Sequence, residues 1–148
     1  MNANQQFSVS CHILVLLAAS PAFPVTSEKI AESVDTNPVV IRRIMSHLRQ
    51  NGMVDSRPGA NGGWRLARPA SQLSLHEVHQ ALTQETLFAL HQHPNPDCPI
   101  GSRILPALES IFGDAQAAME LTLAKTTVGD LLDKTLGMEH LIEFKEVL

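Results

Sequence analysis

The tract Pro58-Gly59-Ala60-Asn61-Gly62-Gly63 most restricts what this chain can become. No regular helix crosses three glycines and a proline within six residues, and several of these positions tolerate positive φ. On either side, Met53-Val54-Asp55-Ser56-Arg57 and Trp64-Arg65-Leu66-Ala67 alternate in the manner of strands. The reading is a β-hairpin with a tip of small residues. A glycine-rich loop can also cradle a phosphate-bearing cofactor. That use needs a Lys or Ser/Thr opening a helix directly after the glycines, and here a strand follows. No cofactor is implied.

Upstream, the pattern is helical. Phe7, Cys11, Leu14, Val15 and Ala18 form a stripe over residues 7–19, widened by Ile13, Leu16 and Leu17, so this helix buries more than one side. Cys11 lies on the stripe and reads as a small core residue rather than a reactive thiol. Ser20-Pro21 and Pro24 end the helix. Thr26 reads as the N-cap of a short second helix with Glu28 in its first turn and Ile30, Ala31 and Val34 on its apolar side. Asn37 then caps a third helix, with Pro38 at its first position and Asn51-Gly52 at its end. Ile41, Ile44, Met45 and Leu48 face inward there, leaving Val39, Arg42, Arg43, Ser46, His47 and Arg49 outward or flanking. Two helices joined by a tight turn, the second showing an arginine pair near its start, match the way helix-turn-helix proteins meet DNA. With the hairpin they describe a winged helix.

Downstream, Ser74 and Glu77 form a capping box for a helix with Leu75, Val78, Ala81 and Leu82 on its apolar side. His76 and His79 on that helix could share a metal, but no third ligand stands at a convincing spacing, so they read as solvated. Residues 91–101 (HQHPNPDCPIG) hold three prolines and must be loop. Beyond them Ile104, Leu105, Leu108, Ile111, Phe112, Ala115, Met119 and Leu123 keep helical spacing over about twenty residues, with Pro106 tolerable only in the first turn. A helix that long, outside a small winged domain, needs a partner, and the simplest is a second copy of the chain. The expected interface is Ile104, Leu108, Ile111, Phe112, Ala115 and Met119. Val128 to Leu148 adds a short helix and a tail. The expected fold class is mainly α with a small β-hairpin wing (α+β). The expected organisation is a winged helix-turn-helix over residues 1–83, a Pro-rich loop and candidate sensor over 84–100, and a dimerisation helix with a C-terminal helix over 101–148.

The net charge of −4 hides an asymmetry. Residues 1–69 carry seven basic against four acidic side chains, whereas residues 70–148 carry four against eleven. A basic front half suits a polyanion, although two unevenly charged solvated faces would look the same. Aromatic residues are only 4%, with no Tyr, so stacking platforms for single-stranded nucleic acid are scarce. Two cysteines make no disulfide framework and no C-x-x-C metal pair. The longest apolar run, Ile13 to Ala19, is far too short to span a membrane, and no basic segment precedes it. A cytoplasmic location without membrane partners is expected.

Phe7 to Leu82 resembles the Rrf-two type of winged-helix transcription regulators, which includes iron–sulfur and nitric-oxide regulators. The resemblance rests on Ile30-Ala31, Ile41, Ile44, Leu48, Gly52, Val54, the hairpin Ser56 to Ala67, and Leu75-His76-Glu77-Val78. In the hairpin, Pro58 stands where the family has Arg, and Trp64 where it has Tyr. The back half, Asn95 to Gly101 and the long helix, is similar to the YwnA-like branch, which lacks an iron–sulfur cluster. The resemblance implies a homodimer on a partly palindromic double-stranded DNA operator, and the leading expectation for its action is repression. Carried over by position, Asn37, Pro38, Val39, Arg42, Arg43 and Ser46 face the major groove, and Asn61 and Gly62 approach the minor groove. Arg57 stands one residue before the family's wing arginine. Cluster-binding members carry three cysteines in the region of residues 91–104; here Cys98 is alone, too few for a cluster. A mononuclear site from His91, His93 and Cys98 lacks a further acid beyond Asp97, and no metal is expected.

A lone cysteine entering a helix N-terminus has a reason to be reactive, while Asp97 beside it works against thiolate, so Cys98 reads either as an inert loop cysteine or as a redox sensor answering a small oxidant. A small-molecule effector, or a metal at His91 and His93, is the next candidate signal. Two competing functions remain in view. A winged-helix interaction module without DNA binding would have lost its exposed basic residues, but Arg42 and Arg43 are present. A cysteine-nucleophile enzyme using Cys98 with His91 or His93 would need an oriented base and an oxyanion site, and neither is legible. No catalytic residue is expected.

Overall fold

The computed structural model describes residues 1–83 and 85–140. Its elements run α1 (Ala3–Ala19), α2 (Ser27–Val34), α3 (Pro38–Gln50), β1 (Val54–Arg57), β2 (Gly63–Leu66), a 3-10 turn (Ala70–Gln72), α4 (Leu75–Leu82), α5 (Ile104–Ala124) and α6 (Val128–His140). The architecture is a winged helix-turn-helix with a long additional helix. The expected tail from residue 141 to Leu148 lies outside the described residues.

Helix starts follow local chemistry. Thr26 accepts from the Lys29 N–H, Asn37 from the Val39 N–H with Pro38 at the first position, and Ser74 and Glu77 close a reciprocal capping box. α1 begins four residues before the apolar stripe does. Asn2 and Gln5 form a capping box there, which adds a polar first turn that hydrophobic periodicity does not reveal.

One core joins the helices. Ile13, Leu14 and Leu17 of α1 meet Ile30 of α2, Ile41, Ile44, Met45 and Leu48 of α3, Val54 of β1 and Val78 of α4, all essentially without exposure. The face of α1 differs from the expected stripe. Its buried side is Ser10, Ile13, Leu14 and Leu17, with Leu16 beside it, whereas Phe7, Cys11, Val15 and Ala18 are half-buried flanks. With α1 packed by α2, α4, α6 and the hairpin, most of its circumference is covered, so apolar positions alone cannot mark one inward face.

The two strands pair antiparallel in the register Val54↔Leu66, Asp55↔Arg65, Ser56↔Trp64 and Arg57↔Gly63. Val25 adds a third extended segment through two bonds with Trp64, of 2.9 and 2.8 Å. Gly62 and Gly63 are required here. A Cβ on Gly62 would lie 2.1 Å from the Arg57 carbonyl oxygen, and one on Gly63 would lie 2.7 Å from that of Val25. Trp64 donates its indole N–H to the buried Ser27 hydroxyl at 3.0 Å, tying the wing to α2.

The chain leaves this unit after α4 and returns. Residues 126–128 run beside 73–75, with Leu75 N–H bonded to the Thr126 carbonyl at 2.9 Å and Val128 N–H to that of Leu73 at 2.8 Å. Val128 is fully buried in the common core, and α6 packs on α1. α6 is broken at Gly137, where φ is 63°. His76 and His79 are not solvated as the sequence suggested. Both are half-buried, the His79 ring meets Phe7 edge-on at 5.1 Å, and His76 Nδ1 is buried without a protein partner. The cause is α1, which covers the side of α4 that residue spacing alone leaves open. No described helix is long and apolar enough to cross a membrane.

Candidate nucleic-acid interface

The α2–α3 turn is set by two residues. Asp35 adopts the left-handed conformation (φ 59°) as the C-cap of α2, and Thr36 N–H bonds the Ala31 carbonyl at 2.9 Å. Asn37 then accepts from Val39 N–H at 2.8 Å and starts α3. Because Ile41, Ile44, Met45 and Leu48 are locked into the core, the opposite side of α3 must face solvent. Asn37, Val39, Arg42, Arg43, Ser46, His47 and Arg49 are all exposed there, and Pro38 is half-buried. Val39, at 66%, is an apolar side chain with no packing partner to hide it.

The arginines differ in their surroundings. Arg42 makes an ion pair and hydrogen bond to Glu28, in the first turn of α2. Arg43 has no ion pair among the described residues. Arg49 reaches the Ser56 hydroxyl at 3.5 Å, a long contact linking α3 to β1. In the hairpin, Arg57 and Asn61 are exposed, and Gly62 is half-buried where the tip folds back on Arg57. Arg68 is committed internally, 2.9 Å from Glu77 of the α4 capping box. This face can present cations to phosphates and a short apolar and polar row to base edges.

α5 is the second candidate surface. None of its residues is buried. Ile104, Leu108, Phe112, Ala115 and Met119 are half-buried, and Ile111 is 61% exposed, as is Leu121, which helical spacing did not single out. Residues 86–90, expected to be part of the Pro-rich loop, fold along α5. Leu87 N–H bonds the Gln116 side chain at 2.8 Å, and the Phe88 ring lies 5.0 Å from that of Phe112. They leave a largely apolar cleft of about 470 Å³ floored by Phe112 and Gly113.

Cys98 is not at the N-terminus of α5. It opens a turn six residues earlier, with Ser102 N–H bonded to its carbonyl at 2.9 Å. Its thiol is still held below its usual pKa, because the backbone N–H groups of Gly101 and Ile100 point at the sulfur and stabilise thiolate. Cys11 is the opposite case: burial pushes its thiol up to about 11.

A helix-turn-helix followed by a hairpin, clamped to the second helix and to Val25, is the winged-helix fold of DNA-binding regulators. The chain belongs to the Rrf2 family, described as iron-dependent transcriptional regulators, whose pattern matches residues 3–134. It is 41% identical over 131 residues to the helix-turn-helix transcriptional regulator YwnA of Bacillus subtilis, covering 88% of this chain and 96% of that protein. A solved DNA-binding protein at 37% identity superposes with a TM-score of 0.68, over 86% of this chain and 98% of the other. A transcriptional regulator from Lactobacillus plantarum at 24% identity shares the fold, with a TM-score of 0.75 over 96% of this chain and 97% of its own. The chain is thus a DNA-binding transcriptional regulator and not an enzyme.

The iron in the family's description does not suit these residues. Among the described residues no group of three His, Cys, Asp or Glu side chains could hold a metal ion. The second cysteine, Cys11, belongs to α1 and is held protonated by burial. Cys98 therefore has no thiolate partner within the protomer.

Proposed function

We propose that the chain acts as a homodimer on a partly palindromic double-stranded DNA operator and represses from it. Residues 1–83 make the DNA contacts, 84–100 form a sensing loop, and 101–148 contain the pairing helix. Asn37, Pro38, Val39, Arg42, Arg43 and Ser46 take the major groove, while Arg57, Asn61 and Gly62 take the flanking minor groove and backbone. α5 carries this reading. A 21-residue helix with no buried residue has an apolar side that its own protomer covers only in part, with Ile111 left open, and a symmetric second copy completes the cover with the same residues. Two reading helices then meet half-sites about one helical turn apart, roughly 34 Å.

Ile111→Glu tests it. Ile111 is already open to water in the protomer, so an isolated chain tolerates the charge, whereas an interface does not. Sedimentation of the wild type gives a dimer and of the variant a folded monomer with much weaker operator binding. A wild type that sediments as monomer at micromolar concentration refutes the proposal.

For the signal, the acidified Cys98 thiol favours a small oxidant over a small-molecule effector. Selection of bound sequences from random DNA, run reduced and oxidised, tests both the operator and the signal.

A further inference from the structure

The Glu28–Arg42 pair lies across the helix-turn-helix, 14 residues apart in sequence, joining the first turn of α2 to the exposed side of α3. Both side chains are more than half exposed, at 63% and 54%, so the pair adds little to stability. What it does is constrain the guanidinium. One Nη2–H is spent on Glu28 Oε1, which biases the direction in which the remaining N–H groups of the planar fork point. Arg43, next to it, has no such tether among the described residues.

We infer that Glu28 is a specificity-determining positioning residue: it orients Arg42 to read a base edge and keeps it from binding phosphate. The inference rests on the proposed operator reading. An untethered arginine swings freely and gains most from the continuous row of phosphates, which carry no sequence information. A buttressed arginine loses that freedom but keeps two parallel donors, the arrangement that matches the O6 and N7 acceptors of guanine. The carboxylate also repels nearby phosphate, lowering affinity for random DNA. Val39, exposed one turn before Arg42, and Ser46, one turn after, continue the same row.

The test uses the full-length protein with the sequence it selects from random DNA and a scrambled duplex of equal length. Glu28→Gln keeps the shape and removes the charge. It should raise affinity for scrambled DNA, steepen the salt dependence by about one unit of slope, and cut the ratio of specific to scrambled binding by about ten-fold. In an Arg42→Ala background, Glu28→Gln should leave that ratio unchanged, because the effect passes through Arg42. Unaltered thermal unfolding of Glu28→Gln checks that the helices are intact. The inference is overturned if Glu28→Gln keeps the wild-type ratio, if Arg42→Ala keeps it, or if Glu28→Gln lowers it equally without Arg42. In those cases operator binding by the wild type still stands. A wild type that selects no sequence overturns the operator reading itself, and the inference with it.

Discussion

Replacing Gly63 by Ala tests whether the wing is held by its clamp on Val25. Gly63 sits at φ +146°, and an added Cβ would lie 2.7 Å from the Val25 carbonyl oxygen and 2.8 Å from its carbonyl carbon. Non-bonded carbon and oxygen do not approach so closely, and the obstacle is backbone, so it cannot rotate aside. Val25 is pinned by the bonds of 2.9 and 2.8 Å to Trp64, and relieving the clash means opening both. Each bond is worth about 0.5–1.5 kcal/mol net. A backbone conformation nearly confined to glycine adds about 1–3 kcal/mol of strain. The expected loss is about 2–6 kcal/mol, a large fraction of the stability of a domain this size. Gly59→Ala is the control. Its φ is +100°, but nothing lies within 4 Å of the added methyl, so only the strain remains. Urea unfolding at fixed protomer concentration reads the difference. Gly63→Ala unfolding at the same midpoint as Gly59→Ala would refute the steric argument.

The hairpin and α3 were legible because several local signals agree at each. Asn37-Pro38 starts α3, Asn51-Gly52 ends it, and a single apolar stripe leaves no choice of inward face; the four expected core residues are the four that are buried. In the hairpin, glycines are required at positions where the chain runs within bond-forming distance of itself. α1 offered no such agreement. Its apolar run fits more than one inward face, and only tertiary packing chooses the face containing Ser10. The histidines of α4 failed for the same reason, since the ring that covers His79 comes from Phe7, far away in sequence.

The candidate site divides along the same line. Which residues of α3 face solvent follows from which are buried, so the outward row could be read. What each outward residue touches could not. Glu28 was legible as an acid favoured by the α2 dipole, yet its partner, Arg42, depends on the angle between two helices. At Cys98 the local geometry differs from the one expected. Two backbone N–H groups of a tight turn favour its thiolate, not the end of α5, and Gly101 permits that turn because a Cβ there would lie 2.4 Å from the Asn95 carbonyl oxygen.

Three further outcomes are expected. Changing Arg42 and Arg43 together to Ala should weaken DNA binding and flatten its salt dependence by about one unit of slope for each phosphate left without its arginine, with the circular dichroism spectrum unchanged. Unaltered affinity would remove both from the interface. Glu77 is held below its ordinary value of 4.5 by the Ser74 N–H and by Arg68. Its contribution is present above that value and lost as pH falls through the lower folded one, so wild type and Glu77→Gln should converge in stability on acidification below about 4.5. A constant gap between them down to pH 2 would refute this. For the cysteines, reactivity follows the thiolate fraction, which grows as pH rises through each thiol's pKa. Cys98, below its usual 9.0, should be alkylated by iodoacetamide near neutral pH, while Cys11, at about 11, stays unlabelled in the folded protein. Peroxide should therefore change operator affinity reversibly in the wild type and in Cys11→Ser, but not in Cys98→Ser. Within a protomer the one other thiol is half-buried on α1 and held protonated, so the expected oxidised form is a sulfenic acid, a mixed disulfide with a small thiol, or a bond between chains, which mass spectrometry and non-reducing electrophoresis separate. A Cys98→Ser protein that still answers peroxide would end the thiol reading and leave a small-molecule effector as the signal to test.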